Sequence, residues 1–203
     1  MTYSIVARDP ETGELGVAVQ SRAFNTGAVV PWAAPGVGVV ATQSYTEVSY
    51  GPLGLELLRA GKNPEQALAE LVAADDDSAY RQVAILGAGG QVAVHIGEAC
   101  IPAAGFAAGD GFSAQANMVD SERVWESMAE AFQHLEGPLA ERLLAHLDAG
   151  QTLAEWEREL PLELEPLTTK PLLELVNGGD GIDLQLEVEL AELGVEEAAE
   201  FRG

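Results

Sequence analysis

Short apolar runs that favour β-structure recur along the chain, bounded by Pro, Gly and polar turn residues, which is the pattern of β-strands. The segments with this pattern are residues 3–8, 15–21, 36–43, 82–86, 91–96 and 112–118. The first two are joined by residues 9–14, which contain the Pro and Gly that a tight turn requires, and the next hairpin turns through residues 87–90. The sequence therefore predicts two antiparallel hairpins and two further strands.

Apolar residues spaced three or four positions apart predict helices between these strands. One helix follows the Gly-Pro break at residues 51–52 and ends at Gly61; the next opens with Asn63 as N-cap and Pro64 at its first position. A third is capped by Asp120 or Ser121, and a fourth covers residues 139–147. Strands followed by helices, twice over and without a βαβ crossover, predict an α+β domain in which helices cover a pair of antiparallel sheets.

The pattern changes after Gly150. Residues 172–176 and 182–190 are predicted to form a hairpin, and residues 188–201 a final helix. No linker long enough to separate domains is present. We therefore expect a single domain over residues 1–203, with residues 151–203 as a divergent C-terminal segment.

The composition narrows the classes of partner. The chain has 203 residues, 33 of them acidic and 10 basic, for a net charge of −23, which argues against binding nucleic acid or an anionic membrane surface. The single cysteine, Cys100, excludes an internal disulfide. No signal-peptide pattern is present, and the longest apolar stretch, residues 28–41, is broken by Pro and Gly. A cytoplasmic location is therefore expected.

The first residues of the chain carry the strongest candidate chemistry. Thr2 follows Met1 and precedes an apolar, strand-forming run. Removal of Met1 would give one residue both a nucleophilic hydroxyl and a free α-amine, whose reference pKa of about 8 lets it act as a base. The alternative is that Thr is simply a common second residue at the start of a strand.

Polar residues at other strand ends are predicted to lie near Thr2. Ser21 and Arg22 end the second strand, which in a hairpin returns to the start of the first. Ser21, Gln43 and Asn117 are candidate donors to an oxyanion, Arg22 is a candidate ligand for a carboxylate, and Gln20, at the end of the same strand, is a candidate substrate contact. The alternatives are a surface salt bridge for Arg22 and turn caps for the others.

His95 and Cys100 are the remaining candidates for nucleophilic chemistry. A Cys–His dyad is conceivable, but a lone histidine in a strand is more often a satisfied core group, and we retain His95 only as a candidate substrate contact. The other two histidines lie on separate predicted helices, so no metal site is expected. No nucleotide-binding motif is present, and no cofactor is expected.

The sequence also resembles a known family. The runs SIVARDPETGELGVAVQSR (residues 4–22), GAVVPWAAPGVGVVATQ (27–43), HIGEACIP (95–102) and QANM (115–118) resemble an uncharacterised bacterial family grouped with Ntn-hydrolase-like proteins and sometimes labelled a fimbrial subunit. The resemblance covers about three-quarters of the chain. It implies a four-layer αββα sandwich of two antiparallel sheets.

Two departures from related patterns bear on the chemistry. After Gly150 the family usually continues with a Gly-Asp-Arg-Gly-Gln-Ser-type segment. Residues 152–170 are instead rich in Leu, Glu and Pro and lack the arginine and serine of that segment. In the proteasome-like pattern, Gln20 stands where an orienting Asp is usual, and the activating Lys has no counterpart. The sequence thus predicts no cation that would lower the pKa of the N-terminal amine.

These observations support two main hypotheses. The first is a hydrolase of a small amide or lactam-like bond, with Thr2 as nucleophile and Arg22 orienting an anionic small-molecule substrate. The second is a non-catalytic binding or assembly module on the same fold. A pilin-like subunit is a third hypothesis, against which the missing signal and disulfide argue. A homodimer is a further expectation, although the sequence indicates no interface.

Overall fold

The computed structural model describes residues 1–153 and 172–176. The strands are β1 (Thr2–Arg8), β2 (Leu15–Ser21), β3 (Pro31–Ala34), β4 (Gly38–Ser44), β5 (Arg81–Gly87), β6 (Val92–Ile96), β7 (Gly105–Gly109), β8 (Phe112–Asn117) and β9 (Leu172–Val176). The helices are α1 (Tyr50–Arg59), α2 (Pro64–Ala74), α3 (Arg123–His134) and α4 (Leu139–Leu153). Short 3₁₀ turns occupy Thr26–Ala28 and Ser78–Tyr80.

The strands form two antiparallel sheets. The first has the order β7-β8-β1-β2-β9 and the second the order β3-β4-β5-β6. Helices α3 and α4 pack on the first sheet, α1 and α2 pack on the second, and the sheets face each other. This arrangement confirms the predicted α+β fold of four layers.

The core has three layers because successive side chains of a strand point to opposite faces of its sheet. In β1, Tyr3, Ile5 and Ala7 pack against α3 and α4. Val6, from the other face of β1, packs between the two sheets. In β5, Val83 and Ile85 similarly face α1 and α2. Strands buried on both faces explain why their apolar positions are so dense.

The predicted strands through residue 118 are confirmed, with small shifts at their ends. Two strands were not predicted. Pro31 begins β3 and glycines bound β7, so both lack the uninterrupted β-forming run that marks a strand. Residues 172–176 are a strand as predicted, paired with β2. The predicted partner strand at 182–190 and helix at 188–201 lie outside the described residues.

The helix boundaries follow local capping chemistry. Asn63 caps α2 as predicted: its side chain accepts from the Gln66 N–H, and the Gln66 side chain accepts from the Asn63 N–H. Helix α3 has Glu122 as its N-cap, one residue after the predicted Asp120 or Ser121, although the Ser121 hydroxyl accepts from the Arg123 N–H at 3.2 Å. Helix α1 begins at Tyr50, one residue before the Gly-Pro break that predicted it.

Within the described part of the chain, every helix is too short or too polar to cross a lipid bilayer.

Candidate functional site

The layer between the two sheets is apolar at one end and polar at the other. The inward-facing positions of β1 change from Val6 to Ser4 and Thr2, and those of β2 change from Val19 to Ser21. The same end of β4, β5 and β8 contributes further polar side chains, all almost fully buried. This polar cluster comprises Thr2, Ser4, Ser21, Gln43, Gln82, Ser113, Gln115 and Asn117. Buried polar groups at this density must satisfy one another or a ligand.

Thr2 and Ser21 are direct partners in the β1–β2 register, with 2.8 Å between their hydroxyl oxygens. The Ser21 hydroxyl lies 3.0 Å from the Met1 carbonyl oxygen, which can only accept, so the Ser21 proton is directed there. Ser21 Oγ accepts from the Ala23 N–H. The proton between Thr2 and Ser21 therefore comes from Thr2. With Met1 in place, this arrangement fixes the direction of the Thr2 O–H bond.

A second chain of hydrogen bonds crosses from one sheet to the other. Gln82 Nε2 donates to the carbonyl oxygens of Ala116 (2.9 Å) and Gly105 (3.1 Å), and Gln82 Oε1 accepts from Gln43 Nε2 (2.7 Å) and Asn117 Nδ2 (2.9 Å). Because backbone carbonyls only accept, the orientation of the Gln82 amide is fixed by the backbone, and it fixes the amides that follow.

The same chain continues through Ser4. Gln43 Oε1 accepts from the Ser4 hydroxyl at 2.7 Å, Ser4 Oγ accepts from Gln115 Nε2 at 2.8 Å, and Gln115 Oε1 accepts from Ser113 at 3.0 Å. The Ser4 proton is thus used within the network and its oxygen already accepts a bond. Ser4 is therefore bonded both as donor and as acceptor within the network.

The N-terminal amine lies in an environment that favours its neutral form. Partial burial of Met1 is the main cause that lowers the pKa of this amine below its usual value of 8.0, and the positive charge of Arg22 lowers it further. Arg22, which directly follows β2, therefore supplies a cation near the N-terminus that was not expected from the sequence.

Strained backbone is concentrated at the same end of the sandwich. Among the described residues, the non-glycine positions with positive φ are Asn25 (58°), Ser44 (71°) and Met118 (55°). Ser44 ends the strand directly after Gln43, and Met118 follows Asn117. Left-handed conformations cost non-glycine residues free energy, and they cluster where a fold holds functional groups in place.

Two candidate residues lie away from this cluster. Gln20 is on the opposite face of β2 from Ser21, where its Nε2 donates to Gln151 Oε1 at 2.6 Å. His95 is the register partner of Val83 on the helix-facing side of the second sheet, and its Nε2 lies 2.8 Å from the Ser78 carbonyl oxygen. The alternation of strand side chains separates both residues from Thr2.

The Cys–His pairing also has no support in the geometry. Cys100 Sγ donates to the Arg81 carbonyl oxygen at 3.3 Å and not to His95. No group of three or more His, Cys, Asp or Glu side chains within residues 1–153 is placed to hold a metal ion. Asp75, in the acidic run after α2, instead pairs with the buried Arg81 at 2.8 Å.

Thr2, Ser21 and Asn117 come together as predicted, and Gln43 joins them through Gln82. Sequence reasoning missed Gln82, Gln115 and Ser113 as members of the cluster. For Ser113 and Gln115 the signal is parity: with Asn117 they are consecutive inward-facing positions of a strand buried on both faces, and such a polar run predicts a hydrogen-bonded interior. Gln82 has no such signal, because the next inward-facing positions of β5 are apolar.

The fold and this cluster define the class of protein: a four-layer α+β sandwich with a buried polar interior at the start of β1, beside a threonine hydroxyl. The chain belongs to a family of unknown function (DUF1028), whose family model matches residues 2–155.

A solved structure of the same family is similar to the whole chain. The crystal structure of protein SPO2555 from Silicibacter pomeroyi aligns with a TM-score of 0.81 and 25% sequence identity, covering 97% of this chain and 88% of that one. No curated protein matches the chain. The similar structure supports the architecture and carries no statement of an activity.

Proposed function

We propose that the chain, once Met1 is removed, is an Ntn-type hydrolase of a small amide or lactam-like bond. Thr2 is the nucleophile and its own α-amine is the base. The observation that carries this proposal is the Thr2 hydroxyl, 2.8 Å from the Ser21 hydroxyl, at a chain start where burial and Arg22 lower the pKa of the Met1 amine. The αββα fold and the family resemblance are consistent with it.

The chemistry of the cluster favours an amine as the base. Its side chains are hydroxyls and carboxamides, none of which accepts a proton at neutral pH. A hydroxyl nucleophile needs a nearby base to take its proton. The α-amine of a freed Thr2 would be held on the same residue as the nucleophile, and the Arg22 charge that lowers the pKa of the Met1 amine would remain nearby.

The Met1 carbonyl marks where a substrate carbonyl would bind. Its oxygen accepts from the Ser21 hydroxyl at 3.0 Å and from the Arg22 N–H at 3.4 Å. Removal of Met1 leaves both donors without this acceptor, beside the hydroxyl that attacks. Two donors directed at one carbonyl oxygen are what an oxyanion intermediate requires. The guanidinium of Arg22 would orient the anionic group of a substrate.

The reaction then balances without a cofactor. Thr2 Oγ1 adds to the amide carbon while its proton passes to the α-amine, and collapse of the intermediate transfers that proton to the leaving nitrogen. The resulting threonyl ester is attacked by water, which gives its proton to the amine, and the acid product leaves as the Thr2 hydroxyl re-forms.

The direct test compares Thr2→Ser and Thr2→Ala with wild type on a panel of small primary amides and lactams, with intact mass recorded for each protein. We expect loss of Met1 in all three, activity in wild type and Thr2→Ser, and a rate lowered by at least about a thousandfold in Thr2→Ala. Equal activity in Thr2→Ala would remove the proposal.

A second candidate is a non-catalytic binding module. The observation that favours it is the Met1 carbonyl itself, which in the untrimmed chain accepts the hydrogen bonds that Ser21 and Arg22 donate. A purified protein that retains Met1, and in which wild type and Thr2→Ala are equally inactive on the panel, would support this function.

A further inference from the structure

The orientation of the Asn117 amide is determined by its neighbours. Gln82 Oε1 must face Asn117, because Gln82 Nε2 is held by the carbonyl oxygens of Gly105 and Ala116. Asn117 Nδ2 therefore points to Gln82 Oε1, at 2.9 Å. Exchanging the two atoms of the Asn117 amide would place oxygen against oxygen. The acceptor end, Oδ1, is consequently turned away from Gln82.

Asn117 Oδ1 is buried and has no hydrogen-bond partner in the described part of the protein. The residue as a whole is 0% exposed. A buried acceptor without a donor is unfavourable, and native proteins rarely keep one unless water or a ligand supplies the donor. The other amides of this network have both ends bonded. Asn117 alone among them offers an unused acceptor.

This acceptor lies on the strand next to the nucleophile. Asn117 is the direct partner of Thr2 in the β1–β8 register, so the two side chains share the inward face at neighbouring positions. Ser21 is the partner of Thr2 on the opposite side, in β2. Thr2 thus stands between an unused acceptor on β8 and the donors of Ser21 and Arg22 on β2.

We propose that the site selects amides that carry an N–H, namely primary carboxamides or lactams, and that Asn117 Oδ1 accepts a hydrogen bond from that N–H. This inference rests on the proposed function. The substrate carbonyl oxygen accepts from Ser21 and Arg22, while the N–H donates to Asn117 across the nucleophile. An ester or an N-methylated amide has no proton to give, and it leaves the acceptor buried and unpaired.

A matched pair of substrates tests this without changing the protein. We expect wild-type kcat/KM for a small lactam to exceed that for its N-methyl derivative by about ten- to a hundredfold or more. In Asn117→Leu this preference should fall by at least about tenfold, chiefly through loss of activity on the lactam. The control is Gln91→Leu, an exposed amide-to-leucine change before β6 and outside the polar cluster, which should keep the preference.

The outcomes separate this inference from the proposed function. Hydrolysis of both lactams at equal kcat/KM by wild type would overturn the inference and leave the Thr2 mechanism standing. If folded Asn117→Leu keeps the full preference for the lactam over its N-methyl derivative, the inference is also overturned, because another group would then accept from the N–H. Hydrolysis of neither lactam nor any primary amide by wild type would overturn the proposed function itself.

Discussion

Arg22 has two separable roles at the residue scale: its backbone N–H faces the Met1 carbonyl oxygen, and its charge acts on the neighbouring amine. The charge favours the neutral amine, because a nearby cation makes protonation less favourable. A lower amine pKa places the base in its active form at a lower pH. The side chain can therefore be changed while the backbone donor is kept.

For Arg22→Gln we expect the acidic limb of the pH profile of kcat/KM to move to higher pH. Loss of the positive charge raises the amine pKa, so more alkaline conditions are needed to free the base. Arg59→Gln, an exposed change in the last turn of α1, is the control and should leave the limb in place. An unmoved limb in Arg22→Gln would contradict the electrostatic role of Arg22.

His146 is a second residue whose environment decides its protonation. It is fully buried against Phe132, with Nδ1 2.5 Å from the Met128 carbonyl oxygen and no described partner for Nε2. Burial lowers the pKa of His146 from 6.5 to about 3. The folded protein therefore holds this ring neutral.

The pH dependence of stability follows from that lowered pKa. The contribution of neutral His146 is complete above pH 6.5 and is lost as the pH falls towards 3, because only the unfolded chain takes up the proton in this window. Wild type should lose on the order of 1 kcal/mol per pH unit more than His146→Leu in urea unfolding. Curves of unfolding free energy against pH that run parallel for wild type and His146→Leu would contradict this. The control is His134→Gln, a change at an exposed ring, whose curve should follow that of wild type.

Close contact at the element scale fixes helix α1 on the second sheet. A Cβ added at Gly51 would overlap the indole ring of Trp32, whereas one at Gly54 would meet the Val40 Cγ2 atom at 3.3 Å. Both glycines lie in α1, so alanine favours the helix at each position, and only the contact with the sheet differs.

We therefore expect Gly51→Ala to lower the free energy of unfolding by about 1–3 kcal/mol, since the ring or the helix must move. Gly54→Ala should change it by less than about 1 kcal/mol in either direction. Thermal and urea unfolding of the two variants measure the difference directly. Equal stability of the two alanine variants would show that α1 is not held by this contact.

An element could be predicted from the sequence when the interactions that form it lie between residues close together in the chain. Asn63 and Pro64 begin α2 through chemistry within one helical turn, and the sequence predicted that start. Strand β7 is a run of Gly, Ala and Phe whose strand conformation depends on pairing with β8, which no local pattern indicates. For the site, adjacency of Thr2 and Ser21 follows from a single hairpin. The role of Gln82 requires the two sheets to face each other, which the pattern within β5 does not show.

On the scale of the whole molecule, one amide links the two sheets. Gln82 on β5 bonds to the carbonyl oxygens of Gly105 and Ala116 on the other sheet, and it accepts from Gln43 and Asn117. The polar network thus sets the position of one sheet relative to the other at the end where Thr2 lies. Apolar packing does the same at the opposite end, around Val17 and Leu86.

Gln82→Leu should lower the free energy of unfolding by at least about 3 kcal/mol, because it removes four hydrogen bonds and takes the acceptor away from the buried amides of Gln43 and Asn117. The control is Gln91→Leu, an exposed change before β6, which should cost less than about 0.5 kcal/mol. Urea unfolding at fixed pH compares the two. A Gln82→Leu protein as stable as Gln91→Leu would contradict the structural role of the network.

The central claim is that a freed Thr2 is the nucleophile, and the most direct measurement is the mass of the protein after reaction with a small β-lactone. Ring opening by a hydroxyl adds the whole lactone, so nothing leaves. The account predicts a wild-type mass that lacks one methionine and gains one lactone, with peptide mapping placing the acyl group on Thr2 and no adduct in Thr2→Ala. Retained Met1 in protein that hydrolyses amides, or acylation at any other residue, would contradict it.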